Sequence, residues 1–361
     1  MLSAGRTTLL EMSRTILAVD GNSLLHRAFH ASAATGFRTP DGRPAWAVRG
    51  LLSQLVAAVD RACADGVVVG FDDRGDSIRR SRWPVYKAQR APKPETLCEQ
   101  LDTAVEVLRE LGVGVVVPDG LEADDVLASV AAQAPGHGAR TVLATSDRDS
   151  FSLVDEHTRV LRILNGGVDA SPLLDPARLE MVTGVRPDQY ADLAALRGDA
   201  SDNLPGVSGF GAKTAARLLG ALGTAPDAFA DAASGGDRCR DAVGAARART
   251  LATDEARERY QLNRDVMTMV RTVDLGDGLH VGLPLDEDRI RAVYARHGLF
   301  VNGAVRALAL HEPSPDVREQ AAQAVEARWV DPRWRSAPVP RHTRLAAPEP
   351  VRPTSVQEAL F

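Results

Sequence analysis

Cysteine is nearly absent: Cys63, Cys98 and Cys239 are the only three in 361 residues. Their odd number and the lack of any CxxC spacing argue against both a disulfide framework and a cysteine-based zinc site. Lysine is as scarce, with Lys87, Lys93 and Lys213 the only lysines among 43 basic residues. No run of about 18 apolar residues occurs, so no transmembrane helix and no membrane association are expected. Residues 1–13 hold too short an apolar stretch for a secretory signal, which points to a cytoplasmic protein starting at Met1 or Met12. The composition is otherwise that of a globular chain, 44% hydrophobic and 25% charged, with length enough for two domains.

A formal net charge of −5 looks ill suited to a nucleic-acid partner. The distribution of charge outweighs its sum, however. Residues 74–93, RGDSIRRSRWPVYKAQRAPK, carry seven cations (Arg74, Arg79, Arg80, Arg82, Lys87, Arg90 and Lys93) against one acid, Asp76.

Apolar runs of strand length recur in the first half, at 15–20, 66–72, 113–118, 141–147 and 158–164. They are continuous rather than alternating, as strands of a parallel sheet covered on both faces must be. Helix-like periodic segments at 43–64, 95–111 and 122–134 lie between them, and the alternation predicts an α/β fold with a mostly parallel, twisted sheet flanked by helices. Beyond residue 172 the pattern becomes short helices joined by Gly, Pro and Asp turns, to about residue 310. Residues 312–361 hold 8 of the 21 prolines, a composition that predicts a largely disordered tail with one helical stretch at 316–330.

The chemistry lies in where the carboxylates fall. Asp20 ends the first apolar run, Asp72 the second and Asp147 the fourth, and parallel sheets place their sites beyond the carboxyl ends of strands. Asp149 follows Asp147 by two, LEADD brings Glu122, Asp124 and Asp125 to the start of a helix, and GDASDN sets Asp199 and Asp202 at i and i+3 on a helical face. Each pair of such charges about 4 Å apart costs roughly 4 kcal/mol at an effective dielectric near 20. Hard divalent cations, Mg²⁺ or Mn²⁺, remove that cost, and two of them can activate water for phosphodiester hydrolysis without any nucleophilic triad. Each acid alone has a plainer reading, as a helix cap or as a charge placed to suit a helix dipole. Asp73, beside Asp72, is expected to point away into solvent.

Five motifs, LAVDGNSLLHRAFHA (17–31), FDDRGDSIRRSRWPVYKAQR (71–90), GLEADDVLA (120–128), TSDRDSFSLV (145–154) and GDASDNLPGVSGFGAKTA (198–215), resemble those of one family. This is the 5′ nuclease (5′→3′ exonuclease) domain of bacterial DNA polymerase I and the wider flap endonuclease superfamily. The resemblance extends over residues 14–300, and no polymerase region follows, so a free-standing monomeric member is expected. It implies a PIN-like catalytic domain at 14–172 with a helical arch at 74–98, and a helical DNA-binding domain at 173–310 with a helix–hairpin–helix-type element at 198–220. It implies two groups of metal-binding acids: Asp20, Asp72, Glu122, Asp124 and Asp125, then Asp147, Asp149, Asp199 and Asp202. Arg27, Arg79, Tyr86, Lys87 and Arg90 fall on DNA-contacting positions. Lys87 and Arg90, read as i and i+3 on a helix, would steady the scissile phosphate, and Tyr86 would stack on an unpaired base. Gly206, Gly209 and Gly211 would expose N–H groups to a phosphate beside a helix opened by Lys213 and Thr214, and family members often hold a K⁺ there. The departures are Ser208 for a common proline, Arg148 for lysine, His26 for an aromatic residue, and the added acid Asp73.

The chain ends TSVQEALF, where Gln357, Leu360 and Phe361 resemble a peptide that docks on the replication sliding clamp. The function these features predict is a flap endonuclease and 5′→3′ exonuclease of primer removal and repair, acting at the nucleoid. A PIN-type endoribonuclease shares the acidic pocket but lacks the arch and the GDASDNLPGVSGFG element. A catalytically silent DNA-structure binder would not need the full set of acids.

Overall fold

The computed structural model describes residues 14–309. The alternative starts Met1 and Met12, the tail with the helical stretch expected at 316–330, and Gln357, Leu360 and Phe361 lie outside the described residues.

Five parallel strands make the centre: β1 (Arg14–Asp20), β2 (Gly66–Gly70), β3 (Gly114–Val116), β4 (Ala139–Thr145) and β5 (Thr158–Arg162). A two-residue strand, β6 (Leu173–Leu174), adds antiparallel to β5, and the order across the sheet is β3-β2-β1-β4-β5-β6. The flanking helices are α1 (Gly21–Ser32), α2 (Trp46–Ala62), α3 (Ile78–Arg82), α4 (Glu95–Leu111) and α5 (Ala123–Gln133). Of these, α1 had no counterpart in the sequence reading. Asp20 starts it, accepting from the Ser23 backbone N–H at 2.8 Å.

Period 2 along the strands divides the core between the two faces of the sheet. Leu17, Val19, Val67, Val69, Val142 and Ala144 point to the side covered by α1, α2 and α4. Ile16, Ala18, Val68 and Leu143 point to the side covered by α5. Both sets are buried to within a few percent, which is why the strand sequences show no polar alternation. Each of the Leu, Ile and Val side chains among them contributes roughly 1.5–3 kcal/mol on burial.

The second half of the chain forms α6 (Pro176–Thr183), α7 (Pro187–Arg197), the strand pair β7 (Gly198–Asp199) and β8 (Leu204–Pro205), then α8 (Ala212–Leu222), α9 (Ala225–Ala233), α10 (Asp237–Val243), α11 (Ala245–Leu251) and α12 (Asp254–Met267). Tyr190, Leu218, Leu251 and Tyr260 of these helices share one continuous core with the α5 face of the sheet. The last two helices, α13 (Glu287–Arg296) and α14 (Ala304–Leu308), depart from the expected division. Their Ile290, Val293, Tyr294 and Leu308 pack with α2 and α4 on the opposite face of the sheet. Their apolar positions are complementary to a sheet face already covered by helices, and local periodicity does not disclose which face a helix will find.

Between β7 and α8 two backbones cross at close range. A Cβ on Gly206 would lie 2.1 Å from the Arg197 carbonyl oxygen, so this glycine is required by packing within the protein. Gly209 holds φ +82, whereas Gly211, at φ −74 and with open space around its Cα, meets no such demand. Gly206→Ala is therefore expected to lower stability by roughly 3 kcal/mol, and Gly211→Ala by no more than about 1 kcal/mol. Urea midpoints of the two variants check this, and equal losses would refute the packing role of Gly206.

Candidate active site

The strand register brings the carboxylates to one sheet edge. Asp20 sits opposite Gly70 at the carboxyl ends of β1 and β2, and Val19 sits opposite Ala144 in β4. Asp72 and Asp147 each lie two residues beyond their strand, so both project past the same edge. Asp20 is buried at 5% exposure and accepts from Ser23 N–H and from the Thr145 hydroxyl, both at 2.8 Å. Asp72 accepts from Asn22 Nδ2 at 2.6 Å and from the Ala123 N–H, at the start of α5, at 3.1 Å. Asn22, unremarked within its motif, is thus the side chain that aims Asp72. The neighbouring Asp73 does not simply face solvent: it accepts from the Gly120 and Gly75 N–H groups at 2.7 and 2.8 Å and pins the chain ahead of α5.

Asp124 and Asp125 are adjacent yet serve different surroundings. Asp125 is fully buried, takes a bidentate pair of hydrogen bonds from Arg79 at 2.6 and 2.7 Å, and accepts from the Glu122 and Val270 N–H groups. Asp125 was expected among the metal-binding acids, and this corrects it: its oxygens are committed inside the protein. Asp124 faces the crevice, and its Oδ1 is buried without a hydrogen-bond partner. The same is true of Asp149 Oδ1. Asp147 is exposed and accepts from the Asp149 N–H at 3.0 Å, while Asp199 caps the single turn 200–202 through Ser201.

The crevice acids feel one another. Burial, together with the charges of Asp72 and Asp147, pushes Asp20 up to about 7. Burial, then Asp147, Asp199 and Asp202, pushes Asp149 up to about 8. Asp124 is raised by burial and by Asp147, Asp20 and Asp149, and Asp202 is raised by burial against the opposing pull of Lys87 and Arg90. Carboxylates held where their charged form is disfavoured, two with a bare buried oxygen, are the donor set a hard divalent cation takes. The residues present fit such ions. Among the described residues, one trio of ligand-type atoms comes within 4.8 Å, at Glu106, Glu110 and His297 on α4 and beyond α13. Those two acids are already paired with Arg43 and Arg296; the crevice oxygens are spread more widely.

The basic stretch differs from the sequence reading in three ways. Its one helix is the five-residue α3, and residues 84–89 are turns, so Lys87 and Arg90 do not share a helix; Lys87 has φ +56. Proline at 84 and the tertiary contacts of the loop override the helical spacing. Tyr86 is 5% exposed with its hydroxyl donating to Glu122 at 2.8 Å, so its ring is not free to stack on a base. Arg79 is 7% exposed and ties Asp125 and Glu122 to the Val266 and Thr268 carbonyls, which leaves it no surface for DNA. Glu122 also receives Lys87 Nζ at 2.9 Å, and although burial alone would lower Lys87, Glu122 and Asp202 hold it above its ordinary value. Arg27 donates to the Leu164 carbonyl and to Asn165 Oδ1, bracing α1 against the loop after β5.

At the hairpin, β7 and β8 pair antiparallel, Arg247 Nε donates to the Gly209 carbonyl at 3.2 Å, and Gly211 precedes α8. No side chain caps α8, whose first turn carries exposed Ala212 and Lys213 and half-buried Thr214, the Thr214 N–H donating to the Gly211 carbonyl at 3.0 Å.

Residues 15–182 match the family described as 5′-3′ exonuclease, N-terminal resolvase-like domain, and residues 185–286 match 5′-3′ exonuclease, C-terminal SAM fold. The chain is 36% identical over 283 residues to DNA polymerase I of Mycobacterium tuberculosis, covering 78% of this chain and 30% of that protein. It is 41% identical over 215 residues to the thermostable DNA polymerase I of Thermus aquaticus, covering 60% of this chain and 25% of the relative. The chain therefore spans less than a third of these relatives' length. In fold it is similar to the T5 5′-exonuclease with divalent zinc ions bound, at TM-score 0.56 and 19% identity over 87% of this chain and 98% of that one. It is also similar to the catalytic core of Rad2 in complex with DNA substrate, at TM-score 0.54 and 14% identity over 83% and 93%. A sheet edge lined with acids, joined to the helices that carry the hairpin, is what both matched family regions bring together: the chain belongs to the 5′-3′ exonuclease family and is homologous to the 5′ nuclease region of DNA polymerase I.

Proposed function

We propose that this protein hydrolyses DNA phosphodiesters at junctions of single strand and duplex, as a structure-specific 5′→3′ exonuclease and flap endonuclease of primer removal and repair. The observation that carries it is the pair of donorless buried oxygens, Asp124 Oδ1 and Asp149 Oδ1, in a crevice of mutually repelling carboxylates. Asp20, Asp72 and Asp124, joined by Glu122 once Lys87 leaves its Oε1, would hold one Mg²⁺ or Mn²⁺, and Asp147, Asp149, Asp199 and Asp202 a second. Bound there, the ions supply activation of water and neutralisation of charge on the phosphodiester. The protein's own part is to hold these oxygens rigidly and to bring the strand to them.

Lys87 and Arg90 stand over the crevice and would steady the phosphate's charge. Arg79, Tyr86 and Asp125 position Glu122 and the start of α5. Gly209, Gly211, Lys213, Thr214 and the uncapped start of α8 would grip a duplex backbone without reading its sequence, and a K⁺ at this hairpin belongs to the same proposal. Docking on a sliding clamp through Gln357, Leu360 and Phe361 rests on the sequence alone.

A 5′-labelled flap should be cut with Mg²⁺ and left whole with EDTA. Asp124→Asn or Asp149→Asn should slow cutting by roughly 10²-fold or more at a wild-type urea midpoint in Mg²⁺-free buffer at pH 5; wild-type turnover in either variant removes the metal assignment. Arg79→Ala leaves Asp125 buried without its partner and should cost about 3–5 kcal/mol in urea unfolding. A selective loss of DNA binding at unchanged stability would restore Arg79 to the interface.

Protonation adds a fourth expectation. With metal stripped by EDTA, Asp149 near 8 and Asp20 near 7 keep protons in the folded protein that the unfolded chain releases around the ordinary value of about 3.9. The folded state then binds more protons, so their contribution is fully present below about pH 4 and is lost as pH rises through 7 and 8. The difference in urea midpoint between Asp149→Asn and wild type should thus widen from pH 5 to pH 8, in favour of the variant, and Mg²⁺ should restore wild type most at pH 8. A difference that narrows over that range contradicts this placement of Asp149.

A further inference from the structure

We propose that the basic stretch at 87–93 is an internal counter-ion for the acidic crevice, so that divalent cations and DNA phosphate bind this protein cooperatively. The inference rests on the nuclease reading and concerns how that site is controlled. Three cations of the stretch are spent on crevice acids from three separate elements. Lys87 Nζ meets Glu122 Oε1 at 2.9 Å, Arg90 Nη2 meets Asp202 Oδ1 at 2.5 Å, and Lys93 Nζ lies 3.7 Å from Asp72 Oδ2.

The surrounding backbone is docked too. The Lys87 N–H donates to the Asp202 carbonyl at 3.0 Å, and Gln89 Nε2 donates to the Ala200 and Ser201 carbonyls at 3.2 Å. From the other side, Asn203 Nδ2 donates to the Val85 carbonyl at 2.8 Å. The stretch therefore spans the crevice from the start of α5 to the turn before β8. The positive φ of Lys87 belongs with this arrangement, since a non-glycine residue stays there only when contacts hold it.

An ammonium or guanidinium on a carboxylate occupies a lone pair that a metal ion would take, and it places positive charge beside the ion's position. A divalent cation approaching Glu122, Asp202 or Asp72 thus meets both competition and repulsion. A DNA phosphate offers the same side chains another anion. When they turn to it the acids are released to the metal, and by reciprocity the metal must assist DNA to the same degree.

The test follows Mn²⁺ binding to the full chain without DNA, by electron paramagnetic resonance of the free ion. The double variant Lys87→Gln, Arg90→Gln is expected to bind Mn²⁺ roughly five- to tenfold more tightly than wild type. In wild type, Mn²⁺ is expected to speed tryptic cleavage after Lys87 and Arg90, located by mass spectrometry. Unchanged or weaker Mn²⁺ affinity in a variant with a wild-type circular dichroism spectrum overturns the counter-ion role, and so does protection of these bonds by Mn²⁺ in wild type. If wild type both binds Mn²⁺ and cuts a flap, such a failure falls on this inference alone. If it does neither, the nuclease reading fails first.

Discussion

Like charges crowded on one sheet edge repel, and the rest of this molecule is arranged around keeping them there. The means are rigid backbone donors and short side chains. Asp20 is held by the first turn of α1 and by Thr145 of the neighbouring strand, and Asp72 by Asn22 and the first turn of α5. A helix start is a favourable place for a carboxylate, since its free N–H groups and dipole offset part of the repulsion. Asp124 and Asp149 lack that help at one oxygen each. They are the points where the fold has left electrostatic strain unrelieved, and a cation is the simplest group to relieve it.

The contrast between Asp124 and Asp125 shows how a helix sorts identical residues. Successive positions on a helix are about 100° apart, so when one faces the crevice the next must face the interior. There Asp125 is matched by Arg79, whose five donors reach two acids and two backbone carbonyls drawn from α5, from α12 and from the loop that follows α12. A buried charge pair of this kind is costly to break but specific in geometry. Through it the basic stretch, the start of α5 and the segment after α12 are joined at one point, directly beneath Glu122.

The basic stretch is thus divided in its work. Arg79 and Tyr86 are turned inward and serve structure, while Lys87, Arg90 and Lys93 stand at the rim and meet acids of the crevice. The proportion of cations in 74–93 announced contact with an anion. It did not announce that part of the anionic partner is the protein itself.

Much of the fold was legible in the chain because parallel strands covered on both faces read as unbroken apolar runs, and strand ends in such sheets converge by geometry. Hence the five strands, the helices near 46–62, 95–111 and 123–133, and the convergence of Asp20, Asp72 and Asp147 followed from local pattern. The motifs carried the family for the same reason, since they are contiguous in sequence. Whether Asp125 or Asp124 faces solvent, whether Tyr86 is a platform or a buried donor, and why Gly206 must be glycine were settled only by what each meets across the chain: Arg79, Glu122 and the carbonyl of Arg197. Those partners lie between 9 and 46 positions away. Side-chain direction depends on such distant neighbours, and neither composition nor periodicity encodes them.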